Sequence, residues 1–221
     1  MWRFGVGIGF VLVLLLPAAS VSDATARHTS PAKCPPGHTH LITADTQAQV
    51  YQVFSPEPAE IFGCAYGGKR SYLLGGPPVS DAEGGGKQTY YTLGGAVVAF
   101  ASASFRDFPR PGEPRSENYV EVLNLGTGRV LHKVPTGTSS PSRVGFGAVA
   151  ALLVKSDGAV AWIAGNNLGD EHPTSFEVHA VDKADNRLLA SGPEIDPSSL
   201  ALAGSTLYWT QGGKPMFTSL N

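Results

Sequence analysis

The chain has 221 residues, 42% of them hydrophobic, which is enough apolar material for one packed domain and too much for a disordered chain. Its formal net charge is −2 and its Lys and Arg residues are scattered, with Lys69-Arg70 the longest run. That excludes a general electrostatic partner such as nucleic acid or an anionic membrane surface, because no basic block supplies phosphate contacts.

In chain order, Arg3 is followed by the apolar run Phe4–Leu16, then by small residues ending in Ala24-Thr25-Ala26. A positive n-region, an apolar core and an A-x-A pattern predict an export signal cleaved after Ala26. The apolar run is short of the roughly 20 residues that a spanning helix needs. The sequence therefore divides into a signal peptide over 1–26, an N-terminal tether over 27–40 and a repeat domain over 41–221. The expected location is the secreted fraction or the periplasm and cell envelope, with the membrane met only through the export signal.

Cys34 and Cys64 are the only cysteines. Export would place them where disulfides form and persist, and neither lies in a C-x-x-C pair, so a structural bridge is expected. Closing a loop of about 30 residues stabilises the folded chain by roughly 3 kcal/mol in the chain-entropy model.

Beyond residue 40 the pattern is short β-branched and aromatic runs separated by Gly, Pro, Asn and Asp. Leu41–Ala44, Gln49–Phe54, Glu60–Tyr66 and Lys69–Leu74 form a first unit. Tyr90–Leu93, Ala96–Ser104, Asn118–Leu125 and Arg129–Val134 form a second. Val149–Val154, Ala159–Asn166, Ser175–Asp182 and Arg187–Ser191 form a third, and Leu200–Leu202, Thr206–Thr210 and Pro215–Leu220 begin a fourth. A recurrence of about 40 to 60 residues with four strands per unit predicts an all-β repeat protein, a small β-propeller-like fold whose last unit is incomplete. A β-sandwich is the alternative.

The third unit, from Lys155-Ser156-Asp157-Gly158 through AVAWIAGN, SFEVHAVD and RLLAS, resembles the WD40-like repeat of TolB-type β-propellers of the bacterial envelope. The resemblance implies blades around an axis. With the fourth unit stopping after its third strand, ring closure would fall to Arg27–Lys33, whose Ser, Thr and Pro content makes a poor strand. Otherwise the unclosed edge would invite self-association with another copy.

If the units are blades, the short turns fall on one face and the long connections on the other. The long set includes Gly75–Lys87, Phe105–Glu117, Pro135–Arg143 and Asn167–Thr174. Arg106, Arg110 and Arg115 lie in one of these, where three guanidinium groups would suit a carboxylate, phosphate or sulfated sugar. The plainer reading is that they and the neighbouring acids neutralise one another in a solvated loop. Asn167, Asp170, Glu171 and His172 lie in another; three of them are metal-ligand types, yet no second cluster at defined spacing completes a shell, so no metal and no cofactor is expected.

Catalytic motifs are lacking. No G-x-S-x-G is present, and in Gly84-Gly85-Gly86-Lys87-Gln88 the phosphate-loop pattern fails, with Gln88 where Ser or Thr belongs. The sequence thus predicts a secreted or envelope binding and scaffold module that takes a protein, peptide or glycan on its long-loop rim. A glycan-active hydrolase or lyase using rim carboxylates is the alternative.

Overall fold

The computed structural model describes residue 34 and residues 39–53, 60–75, 91–105, 116–138, 149–166 and 173–221. Contacts divide the chain into Met1–Ser30 and Pro31–Asn221, and the first unit, with the expected signal and its cleavage site, lies outside the described residues.

The described residues contain strands and no helix. β1 (Thr39–Ala44), β2 (Ala48–Val53), β3 (Glu60–Ala65) and β4 (Tyr72–Gly75) form the first sheet. β5 (Tyr91–Gly94), β6 (Val97–Phe105), β7 (Ser116–Asn124) and β8 (Arg129–Pro135) form the second. β9 (Val149–Val154), β10 (Val160–Gly165), β11 (Phe176–Val181) and β12 (Asn186–Gly192) form the third. β13 (Ala201–Ala203), β14 (Thr206–Gln211) and β15 (Lys214–Ser219) form a three-stranded fourth. Every sheet is an antiparallel meander in sequence order, so the all-β repeat with an incomplete fourth unit is the observed architecture.

One boundary moves. The run Lys69–Leu74 is expected to be a strand throughout, but β4 starts only at Tyr72. Gly67 adopts φ 77° and Gly68 N–H donates to the Ala65 carbonyl at 3.0 Å, so the preceding residues close a turn before the chain can extend.

Alternation within each strand divides its side chains between the two faces of its sheet, and in the second and third sheets both faces meet a neighbouring sheet. Val50, Ala48 and Leu74 of the first sheet pack against Val98, Phe100 and Leu123 of the second. On the other face of the second sheet, Val97, Ala99, Val120 and Val122 meet Leu152, Val160 and Trp162 of the third. The opposite face of the third sheet gives Ala161, Ile163, Val178 and Ala180 to Leu207 and Trp209 of the fourth. β10 is buried along its whole length because it is a middle strand of a sheet covered on both faces. Among the described residues no core cluster joins the fourth sheet to the first.

The sheets approach most closely through their leading strands, with β1 against β5 and β5 against β9. A Cβ at Gly94 would stand 2.6 Å from the Val154 carbonyl oxygen, so only glycine allows β5 this close to β9. Gly128 does the same between the first two sheets: its φ is +75° and a Cβ there would run into the Tyr72 ring.

The Cys34–Cys64 disulfide is formed, with 6.2 Å between the Cα atoms. It lies on the face of the first sheet turned away from the second, where Gln49 Nε2 also donates to the Cys34 carbonyl at 2.7 Å. This bridge fits an oxidising compartment.

Candidate functional site

In a meander, the first and third connections of each sheet leave from one end and the second from the other. The links between sheets share the second end here, because each leading strand starts where the previous sheet finished. The first end carries short turns: residues 45–47, 95–96, 125–128, 155–159, 182–185 and 204–205, with 66–71 somewhat longer. Several are closed by side chains. Asp45 Oδ1 accepts from the backbone of Gln47 and Ala48, Asn124 Oδ1 from Gly126 and Thr127, and Asp182 Oδ1 from Ala184. The second end carries 76–90, 106–115, 136–148, 166–175 and 193–200, with two exceptions: 54–59 in the first sheet, no longer than 66–71, and the tight 212–213 in the fourth.

Arg106, Arg110 and Arg115 fall between β6 and β7, and Asn167, Asp170, Glu171 and His172 between β10 and β11; all seven lie outside the described residues. The strands that bracket them belong to adjacent sheets and open at the same end. What is visible is the pair of stems on which these loops stand.

The stem of the third sheet is tied at its neck. Asn166 N–H donates to the Ser175 carbonyl at 3.0 Å, and Asn166 Oδ1 accepts from Thr174 N–H at 3.1 Å and Ser175 N–H at 3.3 Å. Asn166 Nδ2 adds a bond to Thr174 Oγ1. In the second sheet, Glu121 Oε1 accepts from Ser102 Oγ at 2.7 Å and pairs with Lys133 Nζ at 2.9 Å, while Lys133 lies over the Tyr119 ring. The polar row crosses β6, β7 and β8 just below the loop that carries the three arginines.

Between these stems lies a buried polar cluster that the sequence reading does not identify. Glu177 and His179 of β11 point into the interface of the second and third sheets, and both side chains are at least nine-tenths buried. Thr138, just beyond β8, gives Glu177 two bonds, from its N–H at 3.0 Å and its hydroxyl at 2.6 Å. His179 Nε2 donates to Glu177 Oε2 at 2.8 Å, and the imidazole stacks on Trp162 at 5.1 Å between centroids. Trp162 Nε1 in turn donates to the Thr136 carbonyl at 2.7 Å. Burial lowers the His179 pKa, and the Glu177 hydrogen bond and charge only partly oppose it. The imidazole is therefore held neutral with its proton on Nε2.

Both carboxylate oxygens of Glu177 are occupied, so the cluster is an anchor and not an acid–base pair awaiting substrate. It fastens the start of the 136–148 connection to the third sheet and thereby fixes the loop ends against each other. The alternation Glu177-x-His179 on a strand was the available clue: two polar residues on one face, in a strand otherwise apolar on both.

A shallow groove of about 260 Å³ lies at the short-turn end, lined by Gly68, Lys69, Arg70, Tyr72 and the 125–127 turn. Another of about 430 Å³ lies on the fourth sheet, lined by Ser205, Thr206, Tyr208, Phe217, Thr218 and Ser219. Among the described residues there is no group of three or more His, Cys, Asp or Glu side chains placed to hold a metal ion. No family model matches the chain, and no characterised protein matches it in sequence.

Proposed function

We propose that the protein is an exported binding and scaffold module that takes a protein, peptide or glycan partner on the long connections at one end of its sheets. On this reading the stack is a propeller-like array of the kind the TolB-type repeat implies, and Arg106, Arg110 and Arg115, with Asn167, Asp170, Glu171 and His172, form the contact surface. The observation that supports it is the sorting of connections: short, internally bonded turns at one end, and long links on bonded stems at the other. Loops of variable length on a rigid scaffold are where recognition concentrates. The Cys34–Cys64 bridge is consistent with export.

The test replaces 106–115 by a two-residue Asn-Gly turn in the full chain. Circular dichroism should be unchanged, because the strands pair in register without the loop. Capture of glycans from an array, or of partners from an envelope extract, should be lost. Capture that persists undiminished in the shortened chain would contradict the assignment of this rim.

A further inference from the structure

The two ends of the sheet stack are finished differently. On the first sheet, the face turned away from the second is covered at its centre: Tyr51 is 4% exposed and Cys64 1%, with Cys34 bridged across it. On the fourth sheet, the face turned away from the third is bare. Tyr208 is 39% and Phe217 71% exposed, paired across β14 and β15 with ring centroids 6.3 Å apart. Repeat arrays cap a terminal apolar face, and no described residue caps this one. Among the described residues β15 is also the free edge of its sheet, with Lys214–Phe217 and Ser219 exposed.

The edge has a particular donor and acceptor pattern. Leu220 N–H bonds to the Ser205 carbonyl, which by the alternation of an antiparallel ladder turns Thr218 and Met216 toward β14. Pro215, Phe217 and Ser219 therefore present their backbone groups to the open side. Pro215 has no N–H to offer. The Ser219 carbonyl is already taken, accepting from Arg187 Nη2 at 3.1 Å. Among the described residues, what remains free is the Phe217 N–H and C=O, the Ser219 N–H and the Pro215 C=O.

We propose that β15 pairs with β15 of a second copy of this chain, antiparallel about a two-fold axis with Phe217 opposite Phe217. In that register the two Phe217 residues exchange N–H and C=O, and each Ser219 N–H donates to the opposing Pro215 carbonyl. The donor that proline lacks faces the acceptor that Arg187 has already filled. All remaining edge groups are then satisfied, and the same strand serves both partners, as a two-fold interface requires. The exposed aromatics join into one row, Tyr208–Phe217 continued by Phe217–Tyr208 of the partner, on a six-stranded sheet. No charged side chain lies on this face, so like charges do not oppose the pairing: Tyr208, Phe217, Thr206, Ser219, Ala201 and Ala203 share it.

There is room for the partner strand along Lys214–Phe217, which is exposed to solvent. Met216, on the side of β15 facing the third sheet, is still 40% exposed. Other occupants fit less well. A foreign strand has no reason to match the gap at Pro215 with an acceptor it does not need, and Lys214 and Pro215 guard the edge against longer registers. Since the interface is small, association is a concentration-dependent equilibrium and not an obligate dimer.

The experiment is sedimentation velocity on the full chain over a dilution series, with Phe217→Lys and Ser219→Pro as variants. Both sites are on the exposed edge, and Ser219 N–H is not used within the sheet, so circular dichroism verifies that each variant folds. The wild type should show a monomer–dimer equilibrium, and each variant should raise its dissociation constant at least about tenfold. Register is read separately: Phe217→Cys should cross-link into dimers on mild oxidation, since facing Cα atoms in a bonded pair stand about 5.5 Å apart, and Thr218→Cys should not. A wild type that stays monomeric throughout, a dimer unaffected by Phe217→Lys, or equal cross-linking at both positions would each overturn the proposal.

Discussion

At the scale of single residues, the buried cluster around Glu177 carries the sharpest expectations. Glu177→Ala leaves Thr138 N–H and hydroxyl and His179 Nε2–H without their acceptor, and should cost about 2 kcal/mol, read as a lower urea midpoint. Trp162→Phe should cost more than Trp209→Phe. Both remove a buried ring edge, but Trp162 Nε1 bonds to the Thr136 carbonyl whereas Trp209 Nε1 has no partner among the described residues. Equal losses would mean that the Thr136 bond contributes nothing.

The histidines give a pH dependence whose sign is fixed. Burial lowers the pKa of His179, against the partial opposition of Glu177, and burial also lowers that of His132. Between the lowered folded value and the unfolded value of about 6.5, the unfolded chain binds more protons. Stability is therefore full above about pH 6.5 and falls as the pH drops through that window. Urea midpoints measured downward from about pH 8 should decline there, and His179→Phe should flatten the decline; a profile with no slope in that range contradicts the burial argument. Asp182 adds a separate loss at lower pH. Its burial raises the pKa, but bonds from Asn221, Ala184 and Asp185 backbone and the Arg187 charge outweigh that and hold it below the usual carboxylate value. That contribution is present above about pH 4 and disappears as the pH falls further.

At the scale of elements, the disulfide and the strands show what a sequence reveals. Reducing the Cys34–Cys64 bridge, or Cys64→Ser, should lower stability by about 3 kcal/mol, and thermal melts with and without reductant measure it. An unchanged melt would place the bridge outside the cooperative unit. The pairing was legible because only two cysteines exist. The strands were legible because each carries β-branched or aromatic residues between Gly, Asn or Asp turns, as in Val149–Val154 or Thr206–Gln211. Which face of a strand looks where was not. Tyr208 and Trp209 are neighbours in a run of apolar residues, yet one is bare and the other buried, and only the position of the third sheet decides between them. Glu177 was hidden for the same reason: a carboxylate in a strand suggests solvent until a threonine from another sheet covers it. The seven rim residues follow from loop length alone, and their chemistry rests on the binding test.

At the scale of the molecule, the order of sheets and the difference between their two ends are the main result. Side chains of the second and third sheets feed two interfaces each, and the final residues fasten the fourth sheet to the third: Asn221 N–H donates to Asp182 Oδ2, Lys155 Nζ to the Leu220 carbonyl, and Arg187 Nη2 to the Ser219 carbonyl. The stack is thus cohesive in its middle and open at the fourth sheet. Hydrogen exchange followed by mass spectrometry on dilute full-length chain tests this most directly. The account predicts slow exchange across β10 and β11, buried between two sheets, and fast exchange over β15, with Phe217 and Ser219 amides the least protected there. Protection of β15 equal to that of β10 at high dilution would contradict it, because the edge would then be covered within the chain itself.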